Sequence, residues 1–157
     1  MSVARFLVVT MLALAPLAAA AESACGGKDL AGGTVVGIRD GRTLLLADGR
    51  EVRLAAIETP AGAASALAAL AQGRTLTLKA GSEASDRYGR AVAFAVPAGA
   101  AETLQESLLA AGQARVSARI GTKSCAAALL TLEKQARAAR RGLWADPNFA
   151  PLPAEDY

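Results

Sequence analysis

Short runs of alternating apolar and polar residues fill the first half of the chain, and helical spacing takes over in the second. Thr34–Ile38 is rich in β-branched residues and predicts a first strand, followed by a second at Thr43–Ala47. A third is predicted over Glu51–Ile57, with Val52, Leu54 and Ala56 on one face and Arg53 on the other. Asp48-Gly49 between these two runs is a hairpin signal, because both central turn residues must accept positive φ. Arg74–Lys79 sets Leu76 and Leu78 against Thr75 and Thr77, a fourth strand, and Arg90–Val96 puts Val92, Phe94 and Val96 on one face of a fifth. GSEASDRYG between them reads as a polar loop.

The alanine-rich run after Pro60 predicts a helix stopped by Gly73, and Ala101–Ala111 another, with Leu104 and Leu108 one turn apart before Gly112. Arg115–Ser117 is a candidate short strand. A last helix is predicted from a cap at Thr122 or Ser124 to Arg141, with Leu129, Leu132 and Ala136 along its buried stripe. Arg137, Arg140 and Arg141 suit the negative end of its dipole, and Leu143 and Trp144 fold back as an apolar plug. Three strands, a helix, two strands, then helices predicts an α+β protein: a five-stranded OB-type barrel with about three appended helices.

Met1–Ala21 stands apart. Arg5, an apolar centre and a run of alanines form a cleavable secretory signal, with cleavage expected after Ala20 or Ala21. The expected organisation is a signal at 1–21, a loose lead-in at 22–33, the barrel domain at 34–144 and a poorly ordered acidic tail at 145–157. A secreted or periplasmic location follows, with no membrane contact after cleavage. In that oxidising setting the two cysteines, Cys25 and Cys125, are expected to form a disulfide.

Removing Arg5 lowers the formal net charge from +3 to +2, too little to argue nucleic-acid binding. The type of base says more: thirteen of seventeen are arginine, whose planar fork matches phosphate oxygens. The chain has no histidine, which excludes a Ser-His-Asp triad, an imidazole acid or base, and histidine-ligated zinc. Any hydrolysis must run on carboxylates and arginines, with or without an oxygen-liganded metal such as calcium. The stretch from Asp40 to Pro60 collects such groups: Asp40, Arg42, Arg53 and Glu58. A regular strand would put Arg53 and Glu58 on opposite faces, so they converge only if the strand ends or bulges near Ile57.

Three separated motifs resemble the thermonuclease (staphylococcal nuclease-like) family. They are Asp40-Gly41-Arg42-Thr43, Arg53-Leu54-Ala55-Ala56-Ile57-Glu58-Thr59-Pro60, and Asp86-Arg87-Tyr88-Gly89-Arg90. Arg141-Gly142-Leu143-Trp144 is similar to the end of that family's domain. The resemblance spans Thr34 to Trp144 and implies an OB-fold and calcium-dependent hydrolysis of DNA and RNA phosphodiesters. It implies that Arg53 and Arg90 are the catalytic, phosphate-gripping arginines, that Tyr88 lies beside the substrate, and that Asp40 and Glu58 are metal ligands.

This sequence departs from the family at three points. Arg42 stands where a second ligand acid belongs, Glu58 is one methylene longer than the family's aspartate, and Ala61 replaces the general-base glutamate. Unit charges 4 Å apart at an effective dielectric near 20 interact by about 4 kcal/mol. An arginine in place of an acid therefore opposes calcium as strongly as the acid would favour it. The expectation is a monomer, with Arg42 paired to Asp40 or Glu58, or else adding a third cation at the phosphate. Glu58 would be the remaining catalytic carboxylate, and Glu83 or Asp86 is a candidate replacement base. Two readings follow: a weak or altered phosphodiesterase, or a catalytically inactive module binding nucleic acid or another anion. A third is a partner domain docking through its last helix.

Overall fold

The computed structural model describes residues 23–149; the expected secretory signal at 1–21 and residues 150–157 of the expected acidic tail lie outside the described residues. The elements are β1 (Asp29–Asp40), β2 (Thr43–Leu46), β3 (Glu51–Leu54), β4 (Ile57–Glu58), α1 (Ala64–Ala71), β5 (Thr75–Ser85), β6 (Ala91–Pro97), α2 (Leu104–Ala110), β7 (Arg115–Val116) and α3 (Lys123–Ala138). A 3-10 turn, Gly142–Ala145, follows α3. Strands β1-β2-β3-β6-β5 close into a barrel, and β4 pairs with β7 as a separate ribbon. All barrel pairings are antiparallel except β3 with β6. The architecture is a five-stranded mixed barrel with three helices, as the element order predicts.

The alternation read from the sequence is the barrel's inside in β2, β3 and β5, where Leu44, Leu46, Val52, Leu54, Leu76 and Leu78 are buried, and the helices add Leu67, Leu104, Leu108, Leu109 and Leu129. In β6 the expected face is reversed: Ala93 and Ala95 pair with Leu54 and Leu78 and point inward, whereas Phe94, opposite Lys79, is buried on the other face and Val92 and Val96 are only half-buried. Each fully buried Leu, Val or Phe side chain contributes roughly 1.5–3 kcal/mol by leaving water. Closure also removes the exposed sheet edges that an open five-stranded sheet would leave.

Four elements also differ in extent from the sequence reading. First, β1 begins at Asp29, so the last five residues of the presumed loose lead-in, Asp29–Gly33, are strand. Gly32 is the reason: a Cβ there would stand 2.1 Å from the Leu76 carbonyl oxygen, so only glycine lets β1 cross β5 this closely. The crossing shifts the register between Leu30 and Gly33. Second, β3 stops at Leu54. Third, β5 runs on to Ser85 through an irregular register between Ala80 and Ser85, turning half of the expected polar loop into strand. Fourth, the last helix ends at Ala138, and Arg140 takes a left-handed φ of 50°, leaving Arg140 and Arg141 past its end.

Helix starts follow their caps. The Thr103 hydroxyl accepts from the Glu106 amide while Glu106 reaches back to the Thr103 amide, so α2 begins at Leu104. At α3 the cap is Thr122, which accepts from the Cys125 amide. The Cys25–Cys125 disulfide forms across a sequence separation of 100 and ties the segment before β1 to the first turn of α3. Closing so long a loop stabilises by at most about 4.7 kcal/mol in the chain-entropy picture. Trp144 is half-buried under the Arg137 guanidinium, 4.3 Å from its ring centroid, with Phe149 against its edge.

Candidate functional site

The break in β3 builds the site. After Leu54 the chain turns through Ala55 and Ala56, and Ala56 takes a φ of 61°, a strained conformation for a residue with a Cβ. Two backbone bonds hold the turn: the Ala55 amide donates to the Ala93 carbonyl and the Ser117 amide to the Ala56 carbonyl, both at 2.9 Å. This reverses the face presented after the turn. Arg53 on β3 and Glu58 on β4 consequently line one cleft of about 660 Å³, together with Arg42, Glu83, Asp86 and Arg119.

Arg42 is fixed by a 2.9 Å bond from its Nη1 to the Ile57 carbonyl. It does not form the expected ion pair with Asp40 or Glu58. Asp40 has turned inward on its own Asp-Gly turn, accepting from the Arg42 amide at 2.8 Å and the Thr43 hydroxyl at 3.0 Å. Glu58 is taken by Arg115, which β4–β7 pairing sets directly opposite it. Burial lowers the pKa of Arg42, and the like charge of Arg53 lowers it further; Glu58 and Asp40 act in the other direction without reversing the shift. The Arg53 side chain, opposite Thr43 in the ladder, has no hydrogen-bond or ion-pair partner among the described residues.

Arg90 and Tyr88 are rim residues and do not line the cleft. Arg90 donates through Nε to Asp86 Oδ2 at 2.7 Å, with Nη2 2.7 Å from the same oxygen in the ion pair, while Asp86 Oδ1 accepts from the amides of Tyr88 and Arg90. Partial desolvation raises the Asp86 pKa, but the Arg90 side chain and these two amides outweigh it, and the carboxyl lies below its usual value. The same pairing raises Arg90. Tyr88 is largely exposed, with the guanidinium carbons of Arg87 and Arg90 4.8 and 5.1 Å from its ring centroid. Arg90 remains close enough for its charge to depress Arg42.

The sequence reading missed Arg115 and Arg119. Both come from the segment after α2, where the only signal was the short alternation at Arg115–Ser117. Of the two candidate replacement bases, Asp86 is committed to Arg90 and Glu83 bonds Arg119 at 3.1 Å.

Calcium takes six to eight oxygens, several of them carboxylate. Asp40 uses both oxygens in its own turn, Glu58 is bridged to Arg115, and the Arg42 guanidinium interacts electrostatically with both acids. No group of three or more His, Cys, Asp or Glu side chains comes together among the described residues. The donor set does not fit calcium in the manner the resemblance implies.

Barrel and cleft together define an OB-type protein with an arginine-rich groove beside the β3–β6 junction. The family model described as staphylococcal nuclease homologue matches residues 51–146, more than half of the chain, and the chain belongs to that family. The matched span takes in Arg53, Glu58, Arg90, Arg115 and Arg119, and begins after Asp40 and Arg42. No curated protein matches the chain.

Proposed function

We propose that this protein binds the phosphodiester backbone of DNA or RNA in the arginine cleft, outside the cytoplasm and as a monomer, with hydrolysis weak or absent. The observation that carries the reading is the pairing state of the cleft. Arg42 and Arg53 repel one another and neither is neutralised by a carboxylate at contact distance. A phosphate between them would relieve that repulsion and accept from two charged forks, the strongest class of hydrogen bond available to a protein. The family's nucleic-acid substrates are phosphodiesters, which supports this choice of anion.

Chemistry is less well provided for than binding. Two arginines can stabilise charge developing on equatorial phosphate oxygens. A base must also take a proton from water, and its absence typically costs about two to four powers of ten in rate. Ala61 supplies none, Glu58 is held by Arg115, and no step through calcium follows from this donor set. Glu58 does share the cleft with Arg53, so a slow metal-free hydrolysis with Glu58 as base is the rival reading. Export is supported by the disulfide, and no described helix is long and apolar enough to cross a membrane.

The test is binding of labelled single-stranded DNA across a salt series, beside a cleavage assay with calcium and with chelator. The expected result is salt-sensitive binding whose slope falls by about 0.7 per phosphate contact removed, in Arg53→Ala first. Calcium-dependent cleavage lost in Arg90→Ala would make this a working nuclease. No binding at any ionic strength would leave docking through α3.

A further inference from the structure

We propose that Arg119 is a third phosphate ligand of the cleft, held back by Glu83 until a nucleic-acid strand displaces that carboxylate. The inference rests on the phosphodiester-binding reading above and adds to it a residue that no motif pointed to.

Three arginine–carboxylate pairs surround the cleft, and they are not equally firm. Asp86 and Arg90 are 16% and 18% exposed, and Asp86 also accepts two backbone amides. Glu58 and Arg115 are 36% and 24% exposed and are set opposite one another by the β4–β7 ladder. Glu83 and Arg119 are 52% and 82% exposed and meet through one 3.1 Å contact. Solvent screens such a pair and two long side chains must be ordered to form it, so it contributes little and breaks readily.

The backbone on both sides leaves room for the exchange. Glu83 lies on β5 within the irregular register between Ala80 and Ser85, where the ladder to β6 is interrupted. Arg119 lies in the connection between β7 and α3, two residues past Ser117. Both line the same cleft as Arg42 and Arg53. A phosphodiester held by those two guanidiniums competes with Glu83 for Arg119 and offers two oxygens to its fork. Taking Arg119 raises the arginines on the backbone from two to three and returns Glu83 to water. Glu83 thereby sets a threshold: isolated small anions meet a partly neutralised cleft, and a strand able to capture Arg119 does not.

A double-mutant cycle on the full mature protein tests this, with a labelled single-stranded oligonucleotide as probe and thermal melts to confirm folding. Arg119→Ala is expected to weaken binding and lower the salt slope by about 0.7. Glu83→Gln is expected to tighten it by about twofold to fivefold, the range of an exposed pair. In the Arg119→Ala background, Glu83→Gln should have no effect. An equal gain in both backgrounds would make Glu83 a general negative charge and overturn the proposal, as would an unchanged slope in Arg119→Ala. The two readings fail separately: Arg53→Ala weakening binding while Arg119→Ala does not sinks this inference alone. Wild-type protein that shows no salt-sensitive binding sinks both.

Discussion

Glu58 and Arg115, 57 positions apart in sequence, form an ion pair across the two-residue β4–β7 ribbon, and this pair decides the charge of the cleft. With Glu58 neutralised there, Arg42 has no carboxylate partner at contact distance and bonds a carbonyl instead.

Removing each partner should therefore move nucleic-acid binding in opposite directions. Arg115→Ala leaves Glu58 free to turn to Arg42 and is expected to weaken single-stranded DNA binding several-fold. It should also destabilise the fold by about 1.5–3 kcal/mol, the usual worth of a hydrogen bond to a charged group. Glu58→Gln should tighten binding. Fluorescence anisotropy and urea midpoints read both effects; a loss of affinity in both variants would mean Glu58 itself touches the ligand.

Calcium should leave the melting temperature of the wild-type protein unchanged. Arg42→Asp combined with Ala61→Glu restores the acids of the family pattern and is expected to make that temperature rise with calcium. At a hundredfold excess over the dissociation constant the gain would be about 2.7 kcal/mol. A calcium-dependent rise in the wild type would show that the Arg42 guanidinium does not block the ion.

The Asp86 turn predicts a pH signature. Its folded pKa is depressed, so its stabilisation is fully present above the ordinary unfolded carboxylate value of about 3.9 and is lost as pH falls through the lower folded value. Asp86→Asn should thus lower the urea midpoint at neutral pH, with the gap to wild type closing only below about pH 4. A gap that closes near neutrality would assign the effect to another group.

Gly41 is where the β1–β2 turn meets the start of α1. A Cβ there would stand 2.6 Å from Thr59 Oγ1 and 2.7 Å from the Ala63 Cβ. Gly41→Ala is expected to cost about 1–3 kcal/mol, the range of core overpacking, and to weaken binding by displacing Arg42. Wild-type stability and affinity in this variant would mean that the turn does not position the cleft.

The sequence by itself determined much of the frame. Alternation at Leu76 and Leu78, the Asp48-Gly49 hairpin, the Thr122 cap and the cysteine pair are carried by neighbouring residues or by chemistry that does not depend on the partner's position. The family motifs likewise marked Arg53, Glu58 and Arg90 without any fold in hand. Only the tertiary structure decided what those residues do to one another. Two alanines, Ala55 and Ala56, carry no turn signal; their reversal is imposed by backbone bonds to Ala93 and Ser117. The role of Gly32 depends on β5, whose Leu76 carbonyl lies against it and is distant in sequence. The partners of Arg42, Glu58 and Glu83 were equally hidden. An ion pair is set by which strands lie side by side, and β7 lies beside β4 in a ribbon separate from the barrel, a relationship that local periodicity does not encode.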